Sequence, residues 1–272
     1  MKPARRLGQR SGLGDVRLIR RLSGGWNETW LAARGHERLM VRFDTPAVRR
    51  LGLDRAAEAA VLRSIQGRGL GPEPVFVDPH RGVLVTRWLP GRALAPAGLR
   101  NPQLLRHLGA MLRRLHETAR PPSGIAPLDL AHSADRYALL AGNAGARRLA
   151  RAARRSLKAA AGRRREPALC HNDLVAQNIL RGPALRLIDW EFASPGDPLF
   201  DLAVVLGHHD LGNGHARTLL AAARGRAHPS DFRSLAHLVD CYANMRLLWE
   251  AAVRAVTQRL LPAKRVPATG AD

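Results

Sequence analysis

Cys170-His171-Asn172-Asp173-Leu174-Val175-Ala176-Gln177-Asn178, followed by Leu187-Ile188-Asp189-Trp190-Glu191, is the stretch that decides how this chain folds. Apolar Ala168-Leu169-Cys170 runs into it as a short strand, which leaves Asp173 on the loop beyond. Asn178 opens Asn178-Ile179-Leu180-Arg181, Gly182-Pro183 make a turn, and Leu185-Arg186-Leu187-Ile188 return antiparallel. Asp189 ends the returning strand, so the hairpin brings Asn178 and Asp189 together. An amide oxygen and a carboxylate are hard oxygen ligands, suited to Mg²⁺ on a nucleotide phosphate. Asp173 stands outside that pair, free to orient an acceptor hydroxyl and take its proton.

Taken singly, Asp and Asn residues of this kind cap turns. An ordered HxDxxxxN followed eleven residues later by an aspartate at the end of an apolar strand is harder to ascribe to capping. His171 reads first as a packed structural histidine. A zinc site on His171 and Asp173 lacks third and fourth ligands, and Cys170 points away on an extended backbone. The GxSxG of a serine hydrolase is absent.

The 272 residues are 46% hydrophobic, enough for a sizeable core in one domain or two small lobes. No apolar run reaches eighteen residues, and the basic N-terminus has no apolar stretch behind it. A transmembrane or secretory segment is therefore not expected. Cys170 and Cys241 form no CxxC pair and read as buried thiols of a cytoplasmic protein. Lys and Arg number 44 against 22 Asp and Glu, a net charge of +22 that attracts nucleotides, nucleic acid and anionic membrane alike. With five Phe and two Tyr, no aromatic ladder accompanies the basic residues as a nucleic-acid stacking surface requires. Residues 147–165 hold nine basic residues and no acid. They read as a solvated, Arg-rich helix and loop, with a nucleic-acid docking site as the sharper alternative.

Outward from the hairpin, the chain divides in two. Residues 1–15 read as a basic tail. Residues 16–88 read as a small antiparallel sheet with one helix: strands over 16–22, 30–33, 39–43, 74–77 and 83–86, and a helix over 54–65 with Ala57, Val61, Leu62 and Ile65 on one face. Residues 89–260 read as mainly helical, with one helix capped by Asn101-Pro102 and others over 199–224 and 231–260. Residues 261–272 form a second tail.

The central motifs resemble those of the protein-kinase-like small-molecule kinases, the group holding aminoglycoside phosphotransferases, choline/ethanolamine kinases and thiamine kinases. The resemblance extends over roughly residues 16–257. It implies an α+β, bilobal protein-kinase-like fold, with a nucleotide-binding sheet lobe and a helical lobe carrying the acceptor site. It makes Asp173 the catalytic base and Asn178 and Asp189 the magnesium ligands, with ATP, or alternatively GTP, as phosphoryl donor. Ser23-Gly24-Gly25-Trp26-Asn27 resembles the family's short glycine loop over the phosphates, which places Ser23, Gly24, Gly25 and Asn27 there. Arg42 takes the place of the strand lysine that holds the α and β phosphates, with Glu58 as its partner. Thr86, Trp88 and Leu89 fall on the hinge beside the base.

Ile188-Asp189-Trp190-Glu191 with Gly196-Asp197-Pro198-Leu199-Phe200-Asp201 resembles the choline/ethanolamine and thiamine kinase branch most. Asp201 there braces the catalytic loop. Glu191, Asp173, Asp197 and Asp210 are expected to gather as an acidic patch for a small hydroxylated, cationic metabolite, and Trp249 resembles the helical tryptophan of the choline pocket. The chain departs from choline kinases at His208, where an acid is usual, and at Ala252, where a second tryptophan is common. Alternatives are an aminoglycoside O-phosphotransferase and a catalytically silent nucleotide- or metabolite-binding protein of the same fold.

Overall fold

Period-two alternation builds the first lobe and aims its one critical cation. The computed structural model describes residues 13, 15–22, 27–51, 53–162, 165–225 and 228–260. Strands β1 (Arg17–Arg21), β2 (Asn27–Arg34), β3 (Glu37–Asp44), β4 (Pro74–Asp78) and β5 (Val83–Arg87) form an antiparallel sheet ordered β1-β2-β3-β5-β4. Leu39, Val41 and Phe43 point to one face and are fully buried with Ala32 and Val85. Met40 and Arg42 therefore point to the other face, where their β5 partners Thr86 and Leu84 also point. That face is the wall of the interlobe cleft. Leu13, in the expected N-terminal tail, packs into the sheet core instead. Residues 1–12, 14 and 261–272 lie outside the described residues.

Helix α1 (Pro46–Leu51) follows β3, and α2 (Arg55–Ser64) is capped by Asp54, which accepts from the amides of Ala56 and Ala57. Leu51 of α1 packs on Val253 and Val256 near the C-terminus of the chain, joining the lobes.

In the second lobe, α3 (Pro102–Thr118) buries Leu105, Leu108, Met111, Leu112 and Leu115 as one stripe. Helices α4 (Leu130–Ala141) and α5 (Ala144–Ala160) pack through buried alanines on each other and on the last helix. Arg147, Arg148, Arg151, Arg154, Arg155 and Lys158 are all exposed on α5. Strand β7 (Ala168–Cys170) pairs with β10 (Ser194–Gly196), and β6 (Arg92–Ala93), β8 (Ile179–Arg181) and β9 (Leu185–Leu187) form a small sheet at the cleft floor. Helix α6 (Pro198–His208) is almost wholly buried, and α7 (Asn213–Arg224) and α8 (Pro229–Leu260) complete the lobe. The expected single helix over 199–224 is thus two. The chain turns at Asp210, whose φ is 50°, and restarts at Gly212. Among the described residues no helix is long and apolar enough to cross a membrane.

Candidate active site

The catalytic loop is held from behind by one buried carboxylate. Asp201, fully buried on the first turns of α6, accepts from His171 N (3.0 Å), Asn172 N (2.7 Å) and His116 Nε2 (2.9 Å). Burial alone would raise its pKa, but His116, His171 and the backbone amides hold it below the ordinary carboxylate value. Asn172 takes the left-handed conformation, φ 65°, and bends the chain into Asp173. Its amide nitrogen donates to Phe192 O and Ser194 Oγ.

Both ring nitrogens of His171 are committed. Nε2 donates to Ile188 O at 3.0 Å and Nδ1 accepts from Asp173 N at 3.3 Å. Burial holds the ring neutral, and Trp190 packs against it. This histidine tethers the Asp173 loop to the end of β9 and is no metal ligand. His116, Cys170 and Asp201 also come together, but Asp201 is spent on three donors and burial keeps Cys170 a thiol. That cluster braces the loop.

The hairpin does bring the two proposed oxygen ligands to one place. Ile188 N donates to Asn178 O at 2.9 Å, and Asp189 leaves the strand with φ 64°. Asn178 Nδ2 donates to Asp173 O (2.9 Å) and Asp173 Oδ2 (2.8 Å), so its amide oxygen is the part left to accept. Burial and neighbouring Glu191 raise Asp173 to about 7, partly offset by the Asn178 bond. Asp189 is raised well above the usual range by desolvation in the cleft and by Glu191.

Arg42 and Glu58 form a buried ion pair, and Arg42 NH1 also reaches Asp189 at 3.1 Å. Beside it lies a second guanidinium, Arg55, bonded to Asp44, Glu58, Glu191 and Asn27. Two arginines against Glu58, Glu191, Asp44 and Asp189 leave an excess of carboxylate charge. Asp173 and Asp189 are raised first by burial and then by the Glu191 charge, and a divalent cation would relieve that repulsion. Oxygen donors of this kind fit Mg²⁺.

A cavity of about 400 Å³ lies between sheet and hairpin, lined among others by Met40, Arg42, Thr86, Trp88, Leu89, Ile188 and Asp189. Asn27 and Glu58 reach it as well. Ser23, Gly24 and Gly25 lie outside the described residues.

The expected acidic patch is not assembled. Asp197 caps α6 and pairs with Arg165 at 2.7 Å. Asp210 is 99% exposed and faces Arg100. The eleven residues of α6 separate the two by roughly 16 Å of helix. Glu191 is 5% exposed and committed to Arg55 (2.8 Å) and to Asn27, which donates at 3.2 Å. Its carboxylate faces the nucleotide cleft.

Tyr137 and Tyr242 both feel the charge of Asp173, and Tyr137 belongs to an aromatic cluster. Trp249 contacts Tyr137 and Phe192 edge to face, with ring centroids 5.3 and 5.2 Å apart. Burial raises the Tyr137 hydroxyl to about 12, with Glu191 and Asp173 adding to the shift. Tyr242 is raised by burial and by Asp173, and its hydroxyl lies 3.3 Å from His208 Nδ1. Burial and the neighbouring His209 bring His208 down to about 4, so it is neutral at physiological pH.

Arg55, Asp44, Tyr137 and Phe192 are absent from the expectations above. Arg55 carried a signal, since Arg55 and Glu58 at i,i+3 share one helix face. Tyr137 lies on a helix whose buried face is alanine and gave none.

The sequence model of the phosphotransferase enzyme family matches residues 18–257. Protein LicA of Haemophilus influenzae is 44% identical over 52 residues, which are 19% of this chain and 20% of that protein. The curated relative is thus matched over a fifth of its length. The choline/ethanolamine kinase family protein of Mesorhizobium loti superposes with TM-score 0.71 at 24% identity, over 96% of this chain and 86% of that one. Choline kinase LicA of Streptococcus pneumoniae gives 0.74 at 20% identity, over 92% and 88%. A spectinomycin phosphotransferase gives 0.60 at 15% identity, over 90% and 83%. At these identities the superpositions establish the bilobal fold.

Proposed function

The chain belongs to the phosphotransferase enzyme family, and from that premise we propose that it moves the γ-phosphoryl group of ATP to the hydroxyl of a small choline- or ethanolamine-like alcohol. One observation carries the reading: Asp173, raised to about 7 and held by Asn178, is close enough to add to the raised pKa of Tyr137, which meets Trp249 edge to face. A carboxylate with a pKa near the working pH suits proton transfer from an alcohol. Indole and phenol faces suit an alkylated ammonium without a paired carboxylate. Glu191 and Asp210 are not needed for that recognition, and the structure engages both elsewhere.

Asp173 orients the acceptor oxygen toward the γ-phosphorus and takes its proton as the new P–O bond forms and the bond from the γ-phosphorus to the bridging oxygen breaks, releasing ADP. Asn178 fixes the Asp173 carboxylate. Arg42, pinned by Glu58, presents a permanent positive charge to the phosphates. Asn178 and Asp189 would hold Mg²⁺, which screens the phosphate charge and orients the transferred group. Thr86, Trp88 and Leu89 shape the base pocket. The names of the similar proteins, choline and choline/ethanolamine kinases, support this acceptor class.

The test is nucleoside diphosphate release from MgATP and MgGTP with choline, ethanolamine, thiamine and an aminoglycoside as acceptors. We expect choline or ethanolamine with MgATP to give the highest kcat/KM, and Trp249→Ala to raise the acceptor KM about tenfold or more. Preference for the aminoglycoside, or an unaffected KM in the variant, refutes the acceptor assignment.

A further inference from the structure

We propose that Arg55 is a positioning residue of phosphoryl transfer, a hub that holds the metal-binding segment, α2 and the start of β2 in one frame; the proposal rests on the function proposed above. A guanidinium has five N–H groups. In Arg55 every nitrogen is engaged. Nε donates to Asp44 Oδ1 and Oδ2 at 3.0 and 3.1 Å. One terminal nitrogen, NH1, donates to Glu58 at 3.0 Å and to Glu191 at 2.8 Å. The other, NH2, donates to Asn27 Oδ1 at 3.2 Å and lies 2.9 Å from Asp44 Oδ1.

The partners come from four separate places. Asn27 opens β2, directly after residues 23–26 in the sequence. Asp44 closes β3, Glu58 lies on α2, and Glu191 belongs to the metal-binding segment of the other lobe. Asn27 also donates to Glu191, so the three side chains close a triangle across the cleft. Arg55 is 8% exposed and Glu191 5%.

Fold stability gives little reason for such a network. Buried ion clusters are costly to desolvate, and apolar replacements are often as stable. Its geometric effect is specific. Glu191 follows Asp189 by two residues, and its carboxylate lies 2.8 Å from Arg55 NH1 and 3.9 Å from Arg42 NH1. Arg55 neutralises Glu191 and fixes its position, which fixes Asp189 two residues before it. Without Arg55, Glu191 keeps the longer contact to Arg42 at 3.9 Å but loses the one at 2.8 Å, and the Asp173–Asp189 spacing is no longer held. A displacement of about 1 Å in such a site costs on the order of a hundredfold in rate. Lysine cannot take over, because one ammonium nitrogen cannot span these four partners.

Four proteins test the hub: wild type, Arg55→Gln, Arg55→Lys and Asn27→Ala, each checked for fold by circular dichroism and thermal melting. Steady-state rates are measured against acceptor and against Mg²⁺. Both Arg55 variants should lose kcat about tenfold or more, with acceptor KM within about threefold and the half-saturating Mg²⁺ concentration raised. Asn27→Ala, at the part-buried end of the triangle, should give a smaller loss in the same sense. Wild-type kcat and Mg²⁺ dependence in Arg55→Gln, or full rescue by Arg55→Lys, overturns the proposal. If Arg55→Gln does not fold, wild-type behaviour of Asn27→Ala overturns it. If wild type turns over no acceptor, the function reading fails separately, and calorimetric binding of ATP with and without Mg²⁺ becomes the readout. The Mg²⁺-dependent gain in affinity should then shrink in the variants, and an unchanged or absent gain overturns the hub.

Discussion

Asp201 is fully buried, and three donors converge on it to set the conformation of the Asp173 loop. Its folded-state pKa lies below the unfolded value, so the stability it contributes is present above about pH 4. That contribution is lost as pH falls through the depressed folded value. Asp201→Asn should lower stability at pH 7 by on the order of 2 kcal/mol, since one amide oxygen replaces a charged double acceptor. It should also flatten the acid limb of the stability–pH curve. Urea unfolding between pH 3 and 7 measures both, and an acid limb as steep as wild type would contradict the assignment. Positive φ at Asn172 and Asp189 marks the same economy: each short polar residue bends its loop where glycine would leave no functional group.

Some helix contacts in the second lobe depend on small residues, at Gly109 of α3 and along the alanines of α4 and α5. A Cβ at Gly109 of α3 would lie 2.6 Å from Ala222 Cβ and 3.2 Å from Leu219 O, both on α7. Gly109→Ala should force the two helices apart at a cost of roughly 1–3 kcal/mol. Melting should fall by several degrees, about 2–4 °C per kcal/mol in a domain of this size, with kcat at 25 °C unchanged. An unshifted melting temperature would show that α3 and α7 are not so closely packed. The same chemistry explains what could be read from the chain. The hairpin from Asn178 to Asp189 was legible because its turn and both strands are local. Helix α3 was legible from its leucine stripe. Helices α4 and α5 bury mainly alanine, which carries little periodic signal, so α4 passed unread. The turn at Asp210 carried its own signal in Asp210, Gly212, Asn213 and Gly214, which the expectation of one helix passed over.

Across the whole molecule, the functional parts separate into local and long-range pieces. Asp173, Asn178 and Asp189 lie on one short stretch and could be paired by spacing. Arg55 and Glu191 are 136 residues apart and meet only when the lobes close on each other. The acidic patch failed for a related reason: nearness in sequence of Asp197 and Asp210 is undone by the rigid helix between them. Aromatic rings from α4, α8 and the segment after Asp189 come together instead. The lobes are joined by the ion network at the cleft, by α1 against the end of α8, and by a shared core that includes Leu62, Ile65 and Leu70. The central claim is a division of labour between two aspartates, one moving a proton and one holding a cation. The most direct test compares Asp173→Asn with Asp189→Asn, reading kcat and Mg²⁺-dependent ATP affinity on the same samples. Asp173→Asn should keep that affinity and lose about 10²–10⁴-fold in kcat, whereas Asp189→Asn should lose the Mg²⁺-dependent gain itself. Wild-type turnover in Asp173→Asn, or an undiminished Mg²⁺ effect in Asp189→Asn, would contradict the account.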